Sequence, residues 1–135
     1  MDKNILIIYT GGTIGMCKSE NGYAPKPQFL QQYLDSIPAL RDPSMPKWKL
    51  FELSPLLDSS NMTVLDWNRI GVVIKDNYDA FDGFVVLHGT DTMAYTASAL
   101  SFSLENLDKP VIITGSQIPL FEVRNDGLDN LLTSI

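Results

Sequence analysis

The sequence is poor in the residues that build disulfides, metal centres and nucleic-acid surfaces. Its 135 residues include one cysteine, Cys17, and one histidine, His88. One cysteine excludes a disulfide within the chain, and without a Cys/His cluster we expect no metal and no cofactor. Lysine and arginine together number 10 against 16 acidic residues, so the net charge is −6. This balance argues against nucleic acid as a partner.

Long hydrophobic runs are also missing from the sequence. The best aliphatic stretches, residues 5–9 and 84–87, have the length of β-strands, whereas a bilayer span needs about 20 apolar residues. The N-terminal MDKNILIIYTGG has an acidic residue at once and too short an apolar run for a signal peptide. We therefore expect a cytoplasmic protein that has no contact with a membrane.

The apolar residues that are present alternate between strand and helix patterns, which is typical of a folded domain. Aliphatic runs or alternating patterns predict four strands, at residues 4–9, 47–54, 83–87 and 110–114. Apolar residues at helical spacing predict four helices, the first within residues 27–40 but ending at Pro38, and the others at residues 65–81, 93–107 and 128–135. Residues 15–26 are typical of a hairpin or mobile loop, with a turn at Asn21-Gly22. The alternation predicts an α/β domain with a mostly parallel, open sheet.

Small and polar residues directly follow three of the predicted strands. The segments are YTGGTIG at 9–15, HGTDT at 88–92 and TGSQIP at 114–119. Ligands of open α/β sheets bind at the carboxyl ends of strands, close to the point where the strand order reverses. We therefore predict a ligand site where these three segments meet.

The TGGTIG segment has two interpretations. It matches neither of the glycine-rich phosphate-binding patterns, so nucleotide binding is disfavoured. Gly11 and Gly12 could simply supply a tight turn. Alternatively, they could let the backbone approach a ligand and present Thr13 as a nucleophile beside exposed N–H groups. A threonine nucleophile needs a base, and His88 and a lysine of lowered pKa are both candidates.

The HGTDT segment also has two interpretations. Asp91 or Thr92 could cap the helix that begins near Met93, which would stabilise the helix without any part in catalysis. His88, at the end of a strand, is more often a buried structural histidine than a base. However, a cap needs one side chain, and here Thr90, Asp91 and Thr92 follow one another, which favours a functional site.

The motifs that carry these residues resemble a known family. YTGGTIGM and LHGTDTMAYTASAL together resemble the two signature segments of bacterial-type L-asparaginases. DSSNMTVLDW (58–67) and PVIITGSQIPLFEVRNDGLDNL (110–131) are similar to the family's cytoplasmic type I branch. The resemblance implies a flavodoxin-like three-layer arrangement, with helices on both faces of the sheet. It also implies that residues 1–135 are the N-terminal catalytic domain of a two-domain asparaginase, truncated at the C-terminal end, with the smaller C-terminal domain absent.

The resemblance assigns roles to individual residues. Thr13 would attack the side-chain amide of L-asparagine and form a covalent β-aspartyl intermediate. Thr90 and Asp91 would belong to a second Thr–Asp–Lys group, and either threonine could attack first. Asp91 would also bind the substrate's α-ammonium group. Tyr23, on a mobile loop, would close over the substrate and complete the catalytic set.

The remaining implied contacts concern substrate binding and the missing base. Ser59 aligns best with the serine that receives the substrate's α-carboxylate, and Ser60 is the alternative. Gly12 and Gly89 complete the predicted substrate-binding set. In the family a lysine is the base, so His88 does not carry over. That lysine would lie beyond residue 135, and we therefore expect this chain alone to be inactive or nearly so.

The resemblance further implies a homo-oligomer, a dimer or a tetramer, whose neighbouring subunit completes the site. Two other functions remain open on the sequence. One is an asparaginase-like subunit of a tRNA-dependent amidotransferase, which would liberate ammonia for a partner subunit. The other is a non-catalytic module that binds an amino acid.

Overall fold

A computed structural model describes residues 2–135 and contains two sheets. The strands are β1 (Asn4–Gly11), β2 (Met16–Ser19), β3 (Gly22–Pro25), β4 (Lys47–Leu57), β5 (Gly83–Leu87) and β6 (Val111–Thr114). Four of them form a parallel sheet in the order β4-β1-β5-β6. Strands β2 and β3 form a separate antiparallel hairpin. The predicted hairpin and all four predicted sheet strands are therefore confirmed.

Four α-helices connect and follow the strands. They are α1 (Phe29–Ser36), α2 (Val64–Asp76), α3 (Met93–Ser103) and α4 (Gly127–Ser134). Helix α1 ends just before Pro38, as predicted, whereas α2 and α3 end earlier than the sequence predicts. Pro38 begins a separate 3₁₀ turn after α1. After α2, the side-chain amide of Asn77 donates to the Val73 carbonyl at 2.8 Å and closes the last turn. Within the described chain, no helix is long and apolar enough to cross a membrane.

Strand β4 is longer than predicted. The sequence pattern predicts its end at Ser54, before a proline, but the strand continues through Pro55 to Leu57. Because β4 is an edge strand, proline's missing N–H costs no ladder hydrogen bond on its free side. The extra residues carry the chain to Ser59, at the same edge of the sheet as the ends of β1 and β5.

The core consists of two hydrophobic layers, one on each face of the sheet. Side chains of a strand alternate between faces, so odd-numbered residues of β1 lie with α1 and α4, and even-numbered residues lie with α2 and α3. Ile7 and Ile8, one on each face, are both fully buried. The predicted α/β architecture, with helices on both faces of an open parallel sheet, is confirmed.

The order of the strands places a crevice at the ends of β1 and β5. From β1 the chain passes to β4 on one side and then crosses to β5 on the other. Adjacent strands that lead the chain in opposite directions leave room for a ligand at their carboxyl ends. Gly12 (φ 84°) follows β1, and a Cβ there would lie 2.5 Å from both Cα and N of Gly89, after β5. The two loops therefore touch through backbone atoms alone.

This contact generates a stability prediction with a matched control. Gly12→Ala and Gly22→Ala both place a side chain at positive φ, but nothing lies within 4 Å of a Cβ on Gly22. We expect Gly22→Ala to lose about 1–3 kcal/mol of unfolding free energy through backbone strain. Gly12→Ala should lose more, because its methyl group must also separate the loops. Urea denaturation of both variants measures the difference, and equal losses would contradict the contact.

Candidate active site

The turn that carries Thr13 is fixed from both sides. Thr13 is half-buried at the first position of a 3₁₀ turn, Thr13–Gly15, that follows Gly12. Before it, near the strand end, Thr10 is buried and donates its hydroxyl to the Leu87 carbonyl of β5 at 3.0 Å. On the far side, the N–H of Leu120 donates to the Ile14 carbonyl at 3.1 Å. Thr13 is thus presented by backbone that two other segments hold.

Ser59 reaches the same place from the end of β4. It is buried, and a Cβ on Gly89 would lie 2.4 Å from its Oγ. Ser60 is exposed, and its hydroxyl donates to the Asp58 carboxylate at 2.9 Å. Of the two serines considered from the sequence, Ser59 is therefore the one that lies against the loop after β5.

Thr92 links the Ser59 segment to that loop. Its hydroxyl donates to the Ser59 carbonyl at 2.7 Å. Thr92 does occupy the residue before α3, but neither Thr92 nor Asp91 makes a capping hydrogen bond through its side chain in the described structure. The interpretation of this segment as a helix cap is wrong, because a carbonyl from another loop is the partner of Thr92. Sequence reasoning missed this role, although three polar residues in a row had pointed to more than a cap.

Thr90 and Asp91 lie at the rim of the crevice. Thr90 is half-buried and Asp91 is exposed. The Thr90 hydroxyl accepts a hydrogen bond from the side-chain amide of Gln117 at 3.1 Å. The Asp126 carboxylate accepts from the backbone N–H groups of Gln117 and Ile118, at 2.9 and 3.0 Å, and so shapes their loop. Gln117 was not among the predicted site residues, although its segment was one of the three expected to meet here.

Tyr23 lies on the hairpin formed by β2 and β3. Its side chain is half exposed, and its hydroxyl donates to the Glu122 carboxylate at 2.7 Å. Lys18, paired with Tyr23 across the hairpin, places its Nζ 3.3 Å from the same carboxylate. The hydrogen bond to Glu122 raises the pKa of Tyr23, and the same bond, aided by Lys18, lowers the pKa of Glu122. The hairpin is therefore tied to the loop after β6 in this conformation.

His88 is fully buried and both of its ring nitrogens are engaged. Nδ1 lies 2.6 Å from the Gly89 carbonyl, and Nε2 lies 2.8 Å from the Thr96 hydroxyl. Burial lowers the pKa of His88, more strongly than the bond to Gly89 raises it. A base must reach its proton with a free nitrogen, so this geometry disfavours His88 in that role.

Lys75 and Lys109 both lie away from the crevice that holds Thr13. Lys75 is exposed near the end of α2. Lys109 precedes β6 at the opposite end of the sheet, where its ammonium donates to the Tyr78 carbonyl and lies 4.6 Å from the Tyr78 ring centre. Neither lysine is placed to activate Thr13.

A groove of about 590 Å³ lies between α2 and α3, lined in part by Trp67, Val72 and Leu104. None of the predicted site residues lines this groove. Hydroxyl groups, a carboxylate and closely packed glycine backbone meet instead at the strand ends. We place the candidate site there, because these groups suit nucleophilic attack on a carbonyl carbon.

Comparison with known proteins gives a consistent set of similarities. Residues 4–135 match a family model described as "Asparaginase, N-terminal". L-asparaginase 1 of Escherichia coli (strain K12) is 59% identical over 133 residues, which cover 98% of this chain and 39% of that protein. A glutamyl-tRNA(Gln) amidotransferase subunit from Saccharolobus solfataricus is 37% identical over 133 residues, covering 97% of this chain and 29% of that protein.

The similarity extends to three dimensions. The crystal structure of L-asparaginase I from Vibrio cholerae matches with a TM-score of 0.94 at 56% sequence identity, covering 98% of this chain and 40% of that one. The chain thus spans about two fifths of the length of the two bacterial asparaginases that it matches.

The buried state of His88 predicts how stability depends on pH. Burial holds its pKa below the ordinary value of 6.5, so below that pH the unfolded chain binds a proton that the native protein does not. The unfolding free energy should therefore be highest above pH 6.5 and fall as the pH is lowered, by at most about 1.4 kcal/mol per pH unit.

The measurement compares denaturation of the wild type and of His88→Asn between about pH 7.5 and pH 5.5, a range above the ordinary pKa values of the carboxyl groups. The variant should lose the part of the slope that His88 causes. Parallel profiles for the two proteins would show that this histidine is not held neutral.

Proposed function

This chain belongs to the asparaginase family, and from that premise we propose that the protein hydrolyses L-asparagine to L-aspartate and ammonia. The resemblance of its two signature segments to the family is thereby confirmed. The observation that carries the proposal is the backbone contact of Gly12 with Gly89, which brings the loops of Thr13 and Thr90 together. The names of the E. coli and Vibrio cholerae relatives support the choice of substrate.

In the proposed reaction, Thr13 is the nucleophile. Its hydroxyl loses a proton to a base while Oγ bonds to the carbon of the side-chain amide. The C–N bond then breaks, and the nitrogen takes up a proton and leaves as ammonia. A β-aspartyl ester on Thr13 remains, and water cleaves it to release L-aspartate and restore the hydroxyl. Thr90 would activate that water or compete as the first nucleophile, and the hydrogen bond that its Oγ1 accepts from Gln117 would orient it.

Substrate recognition would use both ends of the amino acid. The exposed carboxylate of Asp91 can pair with the α-ammonium group, a charge-assisted contact that selects α-amino acids. Ser59 would donate to the α-carboxylate from its place against Gly89. Without side chains, Gly12 and Gly89 let the substrate approach the backbone. Tyr23, on its hairpin, would close over the bound molecule.

We further propose that residues 1–135 form the N-terminal catalytic domain of a two-domain, cytoplasmic homo-oligomer, a dimer or a tetramer. The lysine base and the smaller C-terminal domain would be supplied by sequence that follows residue 135. The coverage of only 39% of the E. coli relative supports this arrangement. Among the described residues, no side chain at the crevice is placed to act as the base in place of that lysine.

The first test concerns the nucleophile. In the intact protein, Thr13→Ala should lower kcat for ammonia release from L-asparagine by about 1,000-fold or more, because no covalent intermediate can form. Thr133→Ala, at an exposed position near the end of α4, is the matched control and should leave kcat unchanged. An unchanged melting temperature would show that Thr13→Ala is folded. Turnover retained by a folded Thr13→Ala protein would remove Thr13 from this role.

The second test separates the two serines. Ser59→Ala should raise KM for L-asparagine about 10-fold or more, since a hydrogen bond to a charged group contributes about 1.5–3 kcal/mol. Ser60→Ala should raise KM less, because that hydroxyl is already bonded to Asp58. Ser98→Ala, on the exposed side of α3, is the control. A larger effect of Ser60→Ala would assign the carboxylate contact to Ser60 instead.

A further inference from the structure

A chain of side-chain hydrogen bonds runs from α2 through α3 to the loop that carries Thr90. The indole Nε1 of Trp67 on α2 donates to Oγ1 of Thr96 on α3 at 2.9 Å. The Thr96 oxygen lies 2.8 Å from Nε2 of His88, and Nδ1 of His88 lies 2.6 Å from the Gly89 carbonyl oxygen. Thr96 and His88 are both fully buried. The chain ends on the peptide bond that leads into Thr90.

For a neutral imidazole, only one arrangement of protons satisfies every member of this chain. The Trp67 N–H can only donate, so the Thr96 oxygen accepts from it. The Thr96 hydroxyl proton is then free to go to His88 Nε2, which accepts and is unprotonated. Because the Gly89 carbonyl can only accept, Nδ1 of His88 carries the ring proton and donates it. The Gly89 carbonyl, together with the Thr96 hydroxyl as Trp67 orients it, therefore selects one neutral tautomer of the imidazole.

The last hydrogen bond of this series, from Nδ1 of His88 to the Gly89 carbonyl, acts on a glycine, which has no side chain to restrain its backbone. Glycine has the greatest conformational freedom of any residue, and Gly89 packs between Ser59 and Gly12, with a Cβ position 2.4 Å from Ser59 Oγ and 3.4 Å from Gly12 Cα. A peptide group is planar, so fixing the Gly89 carbonyl also fixes the direction of the Thr90 N–H. The start of the Thr90–Asp91 segment is set in this way.

We propose that His88 is a positioning residue for amide hydrolysis, and that Trp67 and Thr96 hold it in the Nδ1–H tautomer that orients the Gly89–Thr90 peptide. This inference rests on the proposed function, since it concerns the placement of Thr90 and Asp91 toward the substrate. His88 touches neither the nucleophile nor the substrate. Its effect passes through one hydrogen bond to the backbone.

Two substitutions of His88 separate positioning from simple filling of the core. Asparagine places an amide N–H at the level of Nδ1 and can keep the bond to Gly89. Glutamine places its amide at the level of Nε2 and loses that bond. Both side chains lack the ring, so both should lower the melting temperature. We expect His88→Asn to retain kcat within about 3-fold, and His88→Gln to lower it about 10- to 100-fold, as small displacements of catalytic groups do.

The assay uses the intact protein with L-asparagine, at a temperature at which each variant is shown to be folded. Equal kcat losses in the two variants, or losses that follow the melting temperatures alone, would overturn the positioning role. Absence of turnover in the wild type would instead overturn the proposed function. The two failures are thus distinguished by the wild-type measurement.

Thr96→Val supplies an arm of the test that does not depend on activity. It removes the donor to Nε2 while keeping the shape of the side chain, and Thr133→Val is the exposed control. The ¹⁵N signals of His88 are assigned by their loss in His88→Asn. In the wild type, these signals should show a protonated Nδ1 and an unprotonated Nε2. Thr96→Val should raise the fraction of the Nε2–H tautomer without making it the main form, because Met62 Sδ, 2.9 Å from Nε2, can accept that proton while the Gly89 carbonyl still accepts only from Nδ1–H. An Nε2–H tautomer in the wild type, or no change in Thr96→Val, would overturn the assignment.

Discussion

The arrangement of the site depends on the parallel pairing of β1 with β5 and on the backbone contact just beyond it. The two strands are in register from Ile5 with Gly83 to Tyr9 with Leu87, so their carboxyl ends lie at the same edge of the sheet. Gly12 and Gly89 then meet without an intervening side chain. Any residue with a Cβ at Gly12 would hold the loops apart. This contact brings the loops of Thr13 and Thr90 together, and Ser59 packs against Gly89 from the end of β4.

Much of the fold could be predicted because most strands of the core are continuous aliphatic runs. Continuous aliphatic runs are typical of strands buried on both faces, and both faces of β1 are indeed covered by helices. The ends of elements were less predictable, since they depend on particular partners. The side chain of Asn77 closes α2 by reaching back to Val73, and β4 passes Pro55 because it lies at an edge. Neither condition is visible in hydrophobic periodicity.

The sequence predicted which segments meet at the candidate site, but it predicted few of the side-chain contacts between them. Glycine-rich and polar residues after strands indicated where the candidate site should be, and the resemblance of the signature segments added the roles proposed for Thr13 and Asp91. The contact of Thr92 with the Ser59 carbonyl and that of Gln117 with Thr90 join residues distant in sequence. Such pairs are decided by how loops pack in three dimensions. Of the two interpretations of His88 from the sequence, a base or a buried structural histidine, the structure supports the buried one.

The hydrogen bond of Tyr23 with Glu122 has a mechanical consequence. Glu122 lies on the same loop as Gln117, between the end of β6 and the start of α4, and Asp126 holds the first part of that loop. The tip of the hairpin and the amide that touches Thr90 are therefore attached to one short span of backbone. A movement of the hairpin would therefore be transmitted to the contact of Gln117 with Thr90 through the backbone that joins Glu122 to Gln117.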